Sequence, residues 1–208
     1  MSLKSSRKRR RATTADDNKK KTVYDLMIPL PKESASIRIR NILERLQETK
    51  FTHVALTHTA FGIPRQNQDE AETAIPESLW QTSKSVRIQV RRRLNAVIET
   101  LADLSHYTKR TELDRNDAIS KTAAILHSYD MVSICPRNEA IFQSACKTAT
   151  GSDIIVLDYT CGRGGVQLPY KIRAADVKAV IARNAVFEIP YAPAILNRNQ
   201  RKGLIQTW

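Results

Sequence analysis

Aromatic residues and cysteines are scarce in this sequence. Aromatic residues make up 6% of the 208 residues, so a sheet that stacks RNA bases on exposed rings is not expected. The three cysteines, Cys135, Cys146 and Cys161, form no CxxC pair and show no zinc-like spacing. They therefore give no support for a zinc-binding module, and a reducing compartment is their simplest explanation.

Long hydrophobic runs are also missing. No stretch approaches the roughly 18 apolar residues of a membrane span, and Met1 is followed by charged residues instead of the apolar core of a signal peptide. We therefore expect a protein that is soluble and not secreted. Hydrophobic residues nevertheless make up 41% of the chain, enough for one domain with a buried core.

Acidic residues are outnumbered, 21 against 34 lysines and arginines, which gives a formal net charge of +13. Such an excess predicts a polyanionic partner, either nucleic acid or an anionic membrane surface. Residues 1–21 contain nine basic and two acidic residues, so about half of the excess lies outside them. A folded part that stays positive predicts a surface that contacts phosphates.

Residues 1–21 contain almost no apolar side chains, which predicts a disordered basic tail in front of a single domain at 22–208. Two basic clusters in the tail resemble a bipartite nuclear-import signal. The alternative is a non-specific RNA-binding arm, because polybasic clusters serve both purposes. The clusters consist of Arg7, Lys8, Arg9, Arg10 and Arg11, and of Lys19, Lys20 and Lys21.

From Val23 onward, short apolar runs alternate with segments of helical period. This alternation is typical of repeated strand–helix units around a parallel sheet. We predict six strands, near 23–28, 52–57, 86–98, 130–135, 153–159 and 185–190.

Apolar stripes at helical spacing predict four helices between the strands. One stripe runs from Ile39 to Leu46, and a weaker one from Ile119 to Leu126. A third helix is expected behind Asn138 as its N-cap. The fourth should open at Asp176 and end with Arg183 in its last turn, followed by Asn184 in the left-handed conformation.

Six strands with intervening helices in about 187 residues fit an α/β fold of the TIM-barrel-like (β/α) type. A closed eight-stranded barrel typically needs about 250 residues, so we expect a barrel that is incomplete at the C-terminus and lacks its last strands. A doubly wound open sheet is the competing fold. Nothing similar to GxGxxG follows the first strand, so its dinucleotide-binding version has no support.

Candidate catalytic residues lie on the predicted strands. His53 and His58 are five residues apart and should point to opposite faces of one strand, so they cannot share a metal ion unless a bulge intervenes. Asp158 and Glu188, on neighbouring strands, could form an acid/base pair. In the alternative that we prefer, Glu188 is a partly buried carboxylate held by an arginine or a lysine. We expect no catalytic residue and no metal site.

The glycine-rich segment Cys161-Gly162-Arg163-Gly164-Gly165 follows a predicted strand and could cradle a phosphate with its backbone amides. A P-loop requires Gly-Lys-Ser/Thr at the start of a helix, and this sequence does not provide it. We therefore predict a flexible loop here.

Three adjacent arginines, Arg91 to Arg93, interrupt the third predicted strand. Three guanidinium groups are hard to place in a core, so at least two should be solvated or paired. The C-terminal third is also densely basic, which favours phosphate contacts over a merely solvated face. The predicted RNA-binding residues are Arg91, Arg92, Arg93, Arg173, Arg183 and Arg201.

Several segments carry a family resemblance. Tyr129-Asp130-Met131-Val132-Ser133-Ile134-Cys135-Pro136 resembles a strand of the 30 kDa protein subunit family of RNase P and RNase MRP. The run Phe187-Glu188-Ile189-Pro190-Tyr191-Ala192-Pro193-Ala194-Ile195 is similar to a later motif of the same family. Asn184 stands where the family has glycine, a replacement that the left-handed conformation allows.

The resemblance implies a TIM-barrel-like, non-catalytic subunit of a nuclear, nucleolar ribonucleoprotein that removes 5′ leaders from precursor tRNA. It implies that the protein binds no cofactor and that magnesium sits on the catalytic RNA. A related particle, RNase MRP, processes ribosomal RNA. The implied partners are RNase P RNA, RNase MRP RNA, precursor tRNA and a small α/β protein subunit, with no membrane. The alternatives are a metal-dependent phosphoesterase on a related barrel and a generic RNA-binding scaffold.

Overall fold

Six parallel strands joined by helices form the centre of the molecule. The structure is a computed structural model and describes residues 24–29, 35–63, 88–108 and 124–207. The predicted basic tail lies outside these residues, and so do residues 119–123 of the predicted helix at 119–126. Its remaining residues belong to a helical segment at 124–127. All six predicted strands are confirmed: β1 Tyr24–Pro29, β2 His53–Phe61, β3 Gln89–Ile98, β4 Met131–Pro136, β5 Ile154–Val156 and β6 Val186–Glu188.

The strands lie side by side in chain order, and every neighbouring pair is parallel. A doubly wound sheet reverses its strand order at a switch point, and no reversal occurs here. Among the described residues, β1 pairs with β2 alone and β6 with β5 alone, so the sheet is open at both edges. The arrangement is a curled half-barrel, which confirms the prediction of an incomplete TIM-barrel-like fold.

Helices cover the convex side of the sheet. In α1, Ala35–Glu48, Ile39 and Leu43 are buried in one cluster with Val54 and Leu56 of β2. The predicted stripe therefore faces the sheet, as the helical period requires. The other helices that lie wholly within the described ranges are α2 Leu101–Ser105, α3 Glu139–Thr148, α4 Ala174–Ala182, α5 Ala192–Leu196 and α6 Arg198–Thr207. None of the helices in the described ranges is long and apolar enough to cross a membrane.

Helix ends follow the predicted capping chemistry, with two differences in α4. That helix ends at Ala182, so Arg183 is its C-cap and not part of its last turn. Asn138 is the N-cap of α3, and its side-chain oxygen accepts the Ile141 N–H at 3.0 Å. Asn184 has a φ of 58°, as predicted. However, α4 begins at Ala174 and not at Asp176, because Asp176 lies in the first turn and accepts the backbone N–H of Arg173 at 3.1 Å.

The main core lies between the convex face of β3–β5 and helices α2 to α4. Leu94, Ile134 and Phe142 are completely buried in it. The Phe142 and Tyr170 rings stack at 4.2 Å between centroids. Side chains alternate along a strand, so the residues between these core positions point to the concave side of the half-barrel.

Candidate functional site

Polar side chains occupy the middle of the concave face. Arg93, Asn95 and Ser133 are all buried there, on the neighbouring strands β3 and β4. The Arg93 Nε–H donates to Ser133 Oγ at 3.0 Å, and Ser133 Oγ lies 3.0 Å from Asn95 Oδ1. Buried polar groups need such partners, so these three side chains satisfy one another within the fold.

Arg93 continues across the concave face to β6. Its Nη1–H donates to Glu188 Oε1 at 3.0 Å, and its Nη2–H donates to Glu188 Oε2. In a flat sheet, strands three positions apart would be separated by about 14 Å, so the contact depends on the curl of the half-barrel. The preferred alternative for Glu188, a partly buried carboxylate held by an arginine, is confirmed.

Asp158, just after β5, is also fully engaged. Its Oδ1 accepts the backbone N–H and the hydroxyl of Thr160, at 3.0 and 2.6 Å. Its Oδ2 lies 3.3 Å from Arg137 Nη1 and 2.8 Å from Cys161 Sγ. Asp158 therefore organises the turn after β5, and Glu188 has a different partner, so the two carboxylates do not form an acid/base pair.

His53 and His58 lie on opposite faces of β2, as their spacing predicts. His58 is buried, with Nδ1 3.0 Å from the Tyr129 hydroxyl. His53 Nδ1 lies 2.9 Å from Thr52 Oγ1. Within the described ranges, no three His, Cys, Asp or Glu side chains are grouped so that they could hold a metal ion.

The glycine-rich segment after β5 is folded into regular turns, and its flexibility stays a prediction. It forms two short 3-10 turns, Tyr159–Cys161 and Arg163–Gly165. A Cβ atom on Gly162 would lie 1.9 Å from the Gln167 carbonyl oxygen, so only glycine fits. The segment packs backbone against backbone with the chain that follows it.

Two of the six predicted RNA-binding arginines have internal roles. Arg93 is fully buried, so it has no surface to offer a phosphate, and its assignment to RNA is corrected. Arg183 is half-buried, and its Nη1–H groups donate to the carbonyls of Ala149 and Ser152 at 2.6 and 2.8 Å. It therefore neutralises the C-terminal end of α3, where a cation is favourable. Burial lowers the pKa of Arg183 from its ordinary value.

The other four predicted arginines are exposed. Arg91 and Arg92 each lie near Asp130, at 3.8 and 3.9 Å, too far apart for strong pairing. Arg173 Nη2 lies 2.6 Å from Glu139 Oε1. Arg201 donates to the carbonyls of Ala194 and Ile195, at 2.8 and 3.1 Å, and so caps α5. Their contact with RNA stays a prediction.

The predicted RNA-binding set leaves out Arg198 and Lys202, two further exposed cations of α6. Both are exposed, lie one turn apart, and make no ion pair within the part of the chain that the structure describes. A Cβ on Gly203 would lie 2.2 Å from the Val166 carbonyl oxygen, so α6 is pressed against the segment that follows β5. The available signal was the complete lack of acidic residues from 189 to 208.

Two thiols are buried. Burial raises the pKa of Cys135 to about 12, and the nearby Asp158 carboxylate acts in the same direction. Burial likewise raises the pKa of Cys146 to about 12. Both therefore stay protonated near neutral pH, and neither fits an activated nucleophile, which needs a lowered pKa.

Comparison with known proteins identifies the family of this chain. The RNase P subunit p30 family matches residues 22–208. Ribonuclease P protein subunit p30 of Mus musculus is 24% identical over 172 residues, which cover 80% of this chain and 57% of the mouse protein. Protein GAMETOPHYTE DEFECTIVE 1 of Arabidopsis thaliana is 32% identical over 81 residues, 39% of this chain and 13% of that protein. The chain thus spans less than two thirds of either relative. Because the family match covers most of its length, the chain belongs to the RNase P subunit p30 family.

Proposed function

We propose that this chain is a non-catalytic, RNA-binding protein subunit of nuclear RNase P, and that it supports the removal of 5′ leaders from precursor tRNA. The family match carries this proposal. The concave face supports the non-catalytic part, because Glu188 and Asp158 are both held by arginines, at 3.0 and 3.3 Å. A general acid or base must instead be free to exchange a proton with the substrate.

RNA binding is proposed for the exposed cations. Arg198 and Lys202 on α6 are the strongest candidates, because no described acidic side chain neutralises them. Arg91 and Arg92 form a second basic surface at the start of β3, with Asp130 as a weak partner. Lysines and arginines that contact phosphates position an RNA without reading its bases. We propose that the RNA carries the catalytic magnesium ions and that the protein binds no cofactor.

The proposed setting is the nucleus, including the nucleolus. A role in RNase MRP and ribosomal RNA processing, and contact with a small α/β protein subunit, belong to the same proposal. Residues 1–21 should direct nuclear import. If a tagged chain without them stays nuclear after its partner subunits have been depleted, the signal lies elsewhere.

The competing function, a metal-dependent phosphoesterase, needs ligands that converge on one ion. His53 and His58 do not converge, because they lie on opposite faces of β2. The geometry therefore favours the scaffold.

Two measurements test the proposal together. RNA that co-purifies with the tagged chain from cells should be enriched in RNase P RNA when it is sequenced. The purified chain alone should not cleave precursor tRNA with Mg²⁺ or Mn²⁺. Turnover that is lost in His58→Ala, while folding is retained, would show an enzyme and overturn the scaffold assignment.

A further inference from the structure

A cleft at the carboxyl ends of β2 and β3 takes no part in the contacts described above. Its volume is about 470 Å³, within the range of small-molecule pockets. Phe61 and Val97, which are register partners at the ends of the two strands, line its apolar side. Glu99 and Asp103 add two carboxylates. Phe61 is 74% exposed, although it ends a nine-residue strand.

The cleft is held in shape by hydrogen bonds. The Gly62 N–H donates to the Val97 carbonyl at 2.9 Å, and the buried Tyr107 hydroxyl donates to the Gly62 carbonyl at 2.8 Å. Thr100 Oγ1 accepts the Asp103 N–H at 3.1 Å, and its hydroxyl donates to Asp103 Oδ2 at 2.7 Å. The Phe61 ring and the Asp103 carboxylate are thus presented by backbone that is already fixed. A preformed site loses little conformational freedom on binding.

Within the described ranges neither Glu99 nor Asp103 forms an ion pair. This is unexpected in a chain with 34 lysines and arginines against 21 acidic residues. Among the described residues, the lining of the cleft therefore carries two acidic side chains and no basic one. Two carboxylates repel a phosphate backbone, so RNA does not fit here, and a hard metal ion would need more oxygen ligands.

We propose that this cleft binds an arginine side chain presented by a basic, partly apolar segment of a partner protein. A guanidinium group can stack on the exposed ring of Phe61 and donate to the carboxylates of Glu99 and Asp103. Apolar neighbours of that arginine would cover Leu101, which is 55% exposed at the start of α2. Arginine fits better than lysine, because its planar fork both stacks and donates in pairs. This assignment does not depend on RNA binding.

The test uses the full chain and a fluorescein-labelled peptide of alternating leucine and arginine, with binding followed by fluorescence anisotropy at 0.15 M salt. The same peptide with citrulline in place of arginine keeps the shape and removes the charge. The chain should bind the arginine peptide, and Glu99→Gln/Asp103→Asn should weaken binding by about tenfold or more. Phe61→Leu should weaken it by about threefold or more. The matched control, Glu44→Gln/Glu48→Gln on α1, should change it by less than about twofold.

Several outcomes would overturn the assignment. Equal affinity for the citrulline peptide would show that no guanidinium is recognised. Equal losses in the cleft and α1 variants would show only general attraction between charges, and no binding by the full chain would exclude the proposed ligand. If only a chain without residues 1–21 binds the peptide, the cleft holds the chain's own basic tail and not a partner. Circular dichroism of each variant checks that folding is intact.

Discussion

Arg93 on β3 and Glu188 on β6 form a bidentate ion pair, although β4 and β5 lie between their strands. The pair joins residues 95 positions apart and depends on the curl of the sheet. Arg93 is completely buried, whereas 22% of the Glu188 side chain is exposed. Because of this difference in exposure, substitutions at the two positions should destabilise the fold by different amounts.

Glu188→Leu should destabilise the fold by about 3–5 kcal/mol, because it leaves a buried guanidinium without its counter-charge. Arg93→Leu should cost less, since the remaining carboxylate can reach water. The double variant should lose less than the sum of the two single losses, because the residues interact directly. Urea denaturation at neutral pH measures all three. Arg91→Leu is the exposed control, expected within about 0.5 kcal/mol. A loss below 1 kcal/mol in Glu188→Leu would mean that the pair is not a main support of the half-barrel.

Arg183→Ala should destabilise by about 2–3 kcal/mol, because it removes charge-assisted bonds to the carbonyls of Ala149 and Ser152. Arg173→Ala should cost less than about 1 kcal/mol, since its ion pair with Glu139 is exposed. Thermal unfolding of the two variants side by side measures the difference. Equal losses would contradict the role of Arg183 in holding the end of α3.

The elements of this fold were predictable because their signals are local. The stripe from Ile39 to Leu46 and the cap at Asn138 are each written within a few residues, and both are confirmed. Which arginines are buried and which are exposed could not be predicted from local signals. Alternation along a strand says that Arg92 and Arg93 face opposite sides, but not which side is covered.

The partner of the buried Arg93 is Glu188, far along the chain, and only the curl of the half-barrel brings the two together. The same holds for Arg183, whose partners are carbonyls at the end of another helix. Every residue has a backbone carbonyl, so the sequence does not show which carbonyls will accept hydrogen bonds from Arg183. The cleft beside Phe61 was missed for a related reason, because it combines the end of β2 with the carboxylates of Glu99, which follows β3, and of Asp103 on α2.

Asn184→Gly should be neutral or slightly stabilising, and Asn184→Val should destabilise by about 1–2 kcal/mol. The residue has a φ of 58°, which glycine adopts freely and a β-branched side chain strongly disfavours. Chemical denaturation with a constant m-value would show that only stability has changed. A Val variant as stable as wild type would contradict the left-handed backbone at this position.

Stability should fall as the pH rises above about 9. The pKa of Cys135 is raised from 9.0 to about 12 in the folded protein. Below pH 9 both states keep the proton, and stability is full. Between pH 9 and 12 the unfolded thiol ionises first, so stability is lost as pH increases. Urea midpoints at pH 8 and pH 10 should show a loss that is about 1 kcal/mol smaller in Cys135→Ala. Equal losses in the two proteins would mean that Cys135 does not contribute.

The exposed cations that contact RNA phosphates can be identified from the salt dependence of binding. Each lost phosphate contact should flatten the log–log dependence of RNA affinity on salt by about 0.7–0.9. Arg198→Ala/Lys202→Ala should therefore reduce the slope by about 1.4–1.8, since both side chains are exposed and without ion pairs in the described ranges. Arg91→Ala/Arg92→Ala should reduce it less, because Asp130 already lies near both guanidinium groups.

Arg183→Lys serves as the internal comparison, because Arg183 is committed to carbonyls of the fold, and its slope should equal that of wild type. Filter binding of RNase P RNA from 50 to 400 mM salt, with circular dichroism of each variant, gives the slopes. If the α6 and β3 variants are folded and keep the slope of wild type, the basic tail at 1–21 is the main RNA contact and the two surfaces serve protein partners or solvent. If the β3 variant shows the larger change, the RNA lies along the amino ends of the strands, and α6 is left for a protein.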